Sequence, residues 1–139
     1  MKIVKAYRYK LNTNMNIESQ FSQIAGCCRF VYNFFLAQRI QEYRTDFVTP
    51  NYYDQAVQLP LLKEEYPWLK EVPSQALQQT IKDLDQAYKN FFRRINSGGA
   101  PGFPKFKKKG KHNSFRYPQS VKVEGNRIFL PKVGWVSFR

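Results

Sequence analysis

Acidic residues are almost missing from the last third of this sequence. No Asp or Glu lies between Asp85 and Glu124, and residues 89–139 carry 13 Lys or Arg against that one Glu. Residues 1–88 hold 10 Lys or Arg against 9 Asp or Glu, so nearly all of the formal net charge of +13 sits at one end. A field this one-sided attracts polyanions and excludes a carboxylate metal site from the tail. Cysteine is confined to the neighbours Cys27 and Cys28, which cannot form an ordinary disulfide and lack zinc-site spacing. His112 is the single histidine, so no histidine cluster exists and no metal or other cofactor is expected. The N-terminus has no apolar signal core and no run reaches membrane-spanning length, which predicts a reduced, cytoplasmic protein. The basic tract is broken by Gly and Pro and has no apolar face, so an anionic membrane surface fits it less well than nucleic acid.

What the chain does have is aromatic: 12 Phe, 9 Tyr and 2 Trp in 139 residues, enough for one core and for base-stacking surfaces. Residues 2–11 alternate, with Ile3, Tyr7, Tyr9 and Leu11 facing opposite to Lys2, Arg8 and Lys10, which predicts a half-buried strand with a basic outer face. Asn16 is the expected cap of a helix whose row is Phe21, Ile24, Cys28, Val31 and Phe35, with Gly26 a candidate break. Thr49-Pro50-Asn51 stops it and starts a further helix over 52–65, interrupted near Pro60.

The longest periodic stretch begins at Ser74, the expected cap, and ends before Ser97-Gly98-Gly99. Leu77, Ile81, Leu84, Tyr88 and Phe91 make its apolar stripe. Gln75, Gln79, Lys82, Gln86, Lys89 and Arg93 fall on the other face, with Gln78 at the edge. Amides read base edges and cations hold phosphates, so this face is the first candidate for nucleic-acid contact, against the plainer reading of a solvated helix. After a Pro101-Gly102 turn, Lys105, Lys107, Lys108, Lys109 and Lys111 surround Phe103 and Phe106; the lysines read as backbone clamps and the rings as anchors. Short strands are expected at Phe115–Tyr117, Val121–Val123, Arg127–Leu130 and Trp135–Phe138, with Gly125-Asn126 turning between two of them. A strand at each end and helices between predict an α+β fold, a β unit carrying a helical insertion. Its final strand should leave an unpaired edge at Val136–Phe138, inviting association.

Six segments in order carry a resemblance. They are Arg29-Phe30-Val31-Tyr32-Asn33; Ser74-Gln75-Ala76-Leu77-Gln78-Gln79; Ala87-Tyr88-Lys89-Asn90-Phe91-Phe92-Arg93-Arg94; Gly102-Phe103-Pro104-Lys105-Phe106-Lys107; Ser114-Phe115-Arg116-Tyr117; and Leu130-Pro131-Lys132-Val133-Gly134-Trp135. In these the chain resembles the N-terminal part of OrfB/TnpB proteins, transposon-encoded RNA-guided DNA endonucleases related to type V CRISPR effectors.

The resemblance implies a partial wedge-type β-barrel from residues 1–11 and 102–139. A helical recognition unit, 12–101, with a helix-turn-helix label in the family, would be inserted into it. It further implies guide RNA and double-stranded DNA as partners, with Tyr53, Ser74, Gln75, Gln78, Gln79 and Lys82 reading a short motif beside the target. Backbone contacts fall to Arg29, Lys89, Arg93, Arg94, Lys105, Lys107, Lys108 and Arg116. At Arg29 a phosphate contact and a structural ion pair are both open, and at Tyr53 a base contact and a rim position. Family members often carry a basic residue near Ser74, and this chain does not.

The family's nuclease carboxylates and four-cysteine zinc ribbon are missing from these residues, so binding without cutting is expected, with no small-molecule substrate. Two other readings remain: a truncated DNA-binding regulator that works without RNA, and a fragment of a complete endonuclease.

Overall fold

A computed structural model describes residues 3–100, 102–111 and 114–139. Lys2 of the expected strand, Pro101 of the expected turn and His112 lie outside the described residues. Helix α1 spans Met15–Asp46. Its cap is Asn14, not Asn16: the Asn14 side chain accepts the Ile17 N–H at 2.8 Å and satisfies one orphan donor of the first turn. The break proposed at Gly26 does not occur. Ile24, Ala25, Cys27 and Cys28 are all buried around it, and their burial outweighs the ~1 kcal/mol that a mid-helix glycine costs. The helix stops where Phe47 turns left-handed, with φ 56°.

A capping box between Asn51 and Asp54 starts α2, Tyr52–Ala56. The chain breaks near Pro60 as expected, and α3, Leu59–Glu65, carries that proline in its first turn, where the missing N–H costs nothing. A 3-10 turn at Pro67–Glu71 leads to α4, Ser74–Asn96. Ser74 does not cap α4. Pro73 occupies the cap position without a side-chain bond, and the Ser74 hydroxyl instead accepts from the Lys63 ammonium. The far end closes as a Schellman motif: Gly99 N–H bonds the Arg94 carbonyl at 2.9 Å and Gly98, at φ 77°, bonds that of Ile95 at 3.3 Å.

Helices α1 and α4 run in the same direction. Cys28 Sγ lies 3.8 Å from the Ala76 carbonyl, and further along Arg39 meets Asp85 at 3.0 Å. Val31, Phe35 and Leu36 interlock with Leu77, Ile81 and Leu84, and Leu59, Leu62, Leu69 and Val72 close the cluster from the short elements. Arg39, Gln55, Thr80 and Asp85 are polar residues buried among these side chains. Arg39, 2% exposed, donates through Nε to Gln55 Oε1 at 2.8 Å and lies over the Tyr88 ring at 4.8 Å. Gln55 in turn donates to the Phe35 carbonyl at 2.9 Å, so α1, α2 and α4 share one satisfied network.

After α4, strands β1 (Lys122–Glu124), β2 (Arg127–Leu130) and β3 (Gly134–Ser137) form an antiparallel sheet in sequence order. The β1–β2 hairpin has positive φ only at its first central residue, Gly125, which is the pattern of a type II′ turn and explains the Gly-Asn order. Phe115–Tyr117 is not a strand; its rings pack inward, Phe115 5.7 Å from Phe21, and the Tyr117 hydroxyl donates to the Pro131 carbonyl at 3.1 Å. The expected N-terminal strand shrinks to its last residues. Residues 3–10 are exposed, and pairing begins at Lys10, which exchanges two backbone bonds with Arg139. Asn12 N–H also reaches the Ser137 carbonyl at 2.8 Å, so the edge expected to be unpaired is covered over 137–139.

Burial also fixes the protonation of the two thiols. It raises Cys27 from 9.0 to about 11, with Cys28 and Glu71 adding to the effect, and it raises Cys28 as well. Tyr117 is pushed to about 12, again mainly by burial. Below pH 9 these groups are protonated in both folded and unfolded chains, and their full stabilisation is present. Above pH 9 the unfolded chain gains by ionising while the folded one resists, so stability falls through about pH 11–12. Urea midpoints taken from pH 7 to 11 should be flat to about 9 and then decline. A flat profile throughout would show that the thiols and Tyr117 are hydrated in the native state. Native thiol alkylation at pH 7 should also be far slower than in urea.

Candidate nucleic-acid interface

The periodicity of α4 sets its outward row. Leu77, Ile81, Leu84 and Tyr88 are spent on the core, which leaves Ser74, Gln78, Lys82, Gln86, Lys89 and Arg93 exposed along one side. Gln78 therefore stands at the centre of the row and not at its edge. Gln75 and Gln79 are turned toward the C-terminal segment. The Gln75 side chain accepts the Gln119 N–H at 2.9 Å, Gln79 donates to Asp83 at 3.1 Å, and Asp83 also holds the Arg116 guanidinium.

Helix α2 sits beside the row. The Lys82 ammonium lies over the Tyr52 ring at 5.4 Å, and Tyr53, 75% exposed, stacks edge-on against Tyr52 at 5.2 Å. Past Lys82, a groove of about 660 Å³ runs between Thr49-Pro50-Asn51 and the last turns of α4, lined by Lys89, Arg93 and Asn96. Lys89 pairs with Asp85 at 3.2 Å but keeps its side chain mostly in solvent. Arg94 is on the other flank, its guanidinium 3.3 Å from where a Cβ on Gly102 would sit.

The lysine tract forms a second basic surface, and it is ordered by α1. The Asn33 side chain accepts the Lys107 N–H at 2.8 Å and donates to the Lys107 carbonyl at 3.0 Å, as a neighbouring strand would. The Lys107 ammonium covers the Tyr32 ring at 4.4 Å, Pro104 is buried, and Phe103 packs on Phe91 at 5.2 Å and on Tyr88 at 5.5 Å. These ring contacts hold Phe103 although it is 44% exposed; Phe106, expected to be an anchor as well, is 50% exposed. Lys105, Lys108, Lys109 and Lys111 are exposed along this pinned segment, and Arg29 and Lys109 line one cleft beside it. Arg29 is partly buried on α1.

Several residues at these surfaces carry no signal in the sequence. Asn33 was legible only as part of a motif. Lys63, Lys70 and Lys132 converge at the start of α4 from three separate segments: Lys132 donates to the Lys70 carbonyl at 2.7 Å, and burial with these two cations lowers the Lys63 pKa. Spacings of 7 and 62 residues carry no signal for such a cluster. Among the described residues, no three His, Cys, Asp or Glu side chains come together, and no helix is long and apolar enough to cross a membrane.

Residues 1–46 match the family model of a helix-turn-helix domain of OrfB type. Within that span the described residues supply the N-terminal segment and α1, and α2 begins beyond it. The chain is 43% identical over 143 aligned residues to InsQ of Escherichia coli (strain K12), described provisionally as an RNA-guided DNA endonuclease; all of this chain and 34% of that protein are covered. A protein from Streptomyces pristinaespiralis with the same provisional description is 28% identical over 123 residues, covering 86% of this chain and 29% of its own length. The chain spans about a third of the length of these curated relatives. Matched over its whole length to such a relative and at its start to an OrfB-type helix-turn-helix model, the chain is similar to the OrfB/TnpB-type proteins over about a third of their length.

Proposed function

We propose that this chain is the nucleic-acid-recognition portion of an OrfB/TnpB-type protein, holding a guide RNA and a short double-stranded DNA motif. The observation that supports this most is the exposed row of α4, Gln78 with Lys82, Lys89 and Arg93, which combines amides for base edges with cations for phosphates. Tyr53 and Ser74 border it. The pinned lysine tract, with Arg29 and Lys105, Lys107 and Lys108, is assigned to the RNA backbone. Gln75, Gln79 and Arg116 act at one remove, by seating the C-terminal segment against α4. In this reading the sheet and the paired residues at 10–12 are part of a partial wedge-type barrel, and 12–101 is its inserted helical unit.

Binding is the activity assigned here, and cleavage is not. Glu124 is the sole acid after Asp85, so the tail cannot assemble a carboxylate metal site. Affinity for nucleic acid should fall steeply with salt, by at least about a hundred-fold between 50 and 200 mM, because several phosphates exchange their counterions for Lys and Arg. A salt titration with a duplex and with a structured RNA measures this. An affinity that barely changes would overturn the reading. Nucleic acid carried through purification separates the RNA-guided reading from a DNA-binding regulator, which would bring DNA alone.

A further inference from the structure

A cavity of about 380 Å³ lies between the last turns of α1 and α4, within the size range of small-ligand sites. Its apolar wall is made by Ile40 of α1, by Phe91, Phe92 and Ile95 of α4, and by Phe103. The rings of Phe91 and Phe92 stand edge-on, 5.3 Å apart. Phe92, Ile95 and Phe103 are close to half-exposed, so much of this apolar surface is not spent on the core. The polar groups of the cavity are all donors. Arg39 and Arg44 bring guanidinium groups, Tyr43, Thr49 and Tyr88 bring hydroxyls, and among the described residues no carboxylate or amide side chain lines it. Tyr88 is only 6% exposed, yet its hydroxyl bonds to no other described residue. Arg44 is exposed at the end of α1, also without a described partner. Arg39, bonded to Gln55 and Asp85 and lying on the Tyr88 ring, adds positive charge from the buried side.

We propose that this cavity binds a small aromatic carboxylate, with its ring among Phe91, Phe92 and Ile95 and its carboxylate on Arg44 and the Thr49 and Tyr88 hydroxyls. A flat acid suits both halves of the lining. Phenylalanine edges favour a ring against them, and a donor-only set with two cations favours a single negative charge. A nucleotide fits less well, because its polar base edges would lie unbonded against phenylalanine and isoleucine. A second copy of the chain is opposed by charge. Arg44 borders the cavity, α4 continues with Arg93 and Arg94, and residues 89–139 carry 13 Lys or Arg against one Glu. The site lies beside the exposed row of α4 and stands whether or not that row holds nucleic acid.

The test titrates 2-naphthoate into the full chain by calorimetry, with 2-naphthylmethanol as its uncharged counterpart. The acid should saturate one site with a Kd on the order of 0.1 mM, and adenosine monophosphate should not displace it. Arg44→Ala, at an exposed position, should weaken the acid about ten-fold and leave the alcohol unchanged. Tyr88→Phe keeps the ring and removes the hydroxyl, and should weaken the acid about three-fold. Ile95→Trp fills the cavity from an exposed position and should abolish binding of both compounds while leaving the thermal melt in place. The proposal is overturned by an acid that does not saturate, by an Arg44→Ala change that weakens acid and alcohol alike, or by unchanged binding in Ile95→Trp. Displacement by adenosine monophosphate would give the cavity to nucleotides and overturn it too. So would a chain that sediments as a dimer and becomes a monomer in Ile95→Trp, which would assign the cavity to a second copy.

Discussion

Asp85→Ala should cost about 3–5 kcal/mol, enough to leave much of the protein unfolded at 37 °C. Among the described residues the carboxylate is the only anion bonded to Arg39, whose side chain is 1% exposed between three helices. Removing it leaves a guanidinium buried with Gln55 and a tyrosine ring as its remaining contacts, and a buried unpaired cation cannot be rehydrated without opening the α1–α4 seam. Lys89→Ala provides the contrast. Lys89 touches the same carboxylate at 3.2 Å, but its side chain is 70% exposed, so its loss should cost less than about 1 kcal/mol. Combining Arg39→Met with Asp85→Leu should recover much of what either single change loses, because an apolar pair of similar volume needs no compensation. Urea denaturation of Asp85→Ala, Lys89→Ala, the single changes Arg39→Met and Asp85→Leu and their combination measures these effects. If Asp85→Ala and Lys89→Ala were equally mild, Arg39 would have to be hydrated in solution.

That network also shows where sequence reading stops. Leu77, Ile81, Leu84 and Tyr88 announced a packed face by period alone, and the end of α4 at Ser97-Gly98-Gly99 and the start of α3 at Pro60 followed from backbone chemistry. Such features are local. Arg39 looks like any surface cation on a helix, because its partners Gln55 and Asp85 are 16 and 46 residues away. The cap at Ser74 failed for a similar reason, since its hydroxyl is engaged by Lys63 on another helix. Strand edges went the same way. Alternation over 2–11 was real, but among the described residues only Lys10–Asn12 find backbone partners, and those lie at the far end of the chain. For the interface, the sequence supplied the residue types of α4 while the wheel misjudged its centre by one position, enough to exchange Gln78 with Gln75 and Gln79.

That shift decides the second large effect. Lys82 and Arg93 follow Gln78 along the row, and replacing both with alanine should lower duplex affinity about equally on all sequences and reduce the salt slope by roughly 1 for each residue removed. At 150 mM salt this amounts to a loss of about ten-fold or more. Gln78→Ala should behave differently. An exposed glutamine can bond an adenine edge through both its amide groups, and losing that pair costs about 1–3 kcal/mol on the preferred motif and almost nothing on others. Gln79→Ala should leave discrimination intact, since its amide is committed to Asp83 and through it to Arg116. Affinities for a randomised duplex pool, compared across the three variants at two salt concentrations, separate these outcomes. If Gln79→Ala relaxed the motif while Gln78→Ala did not, the base-reading face of α4 would be the side turned toward the C-terminal segment, which would have to leave the helix before DNA could bind.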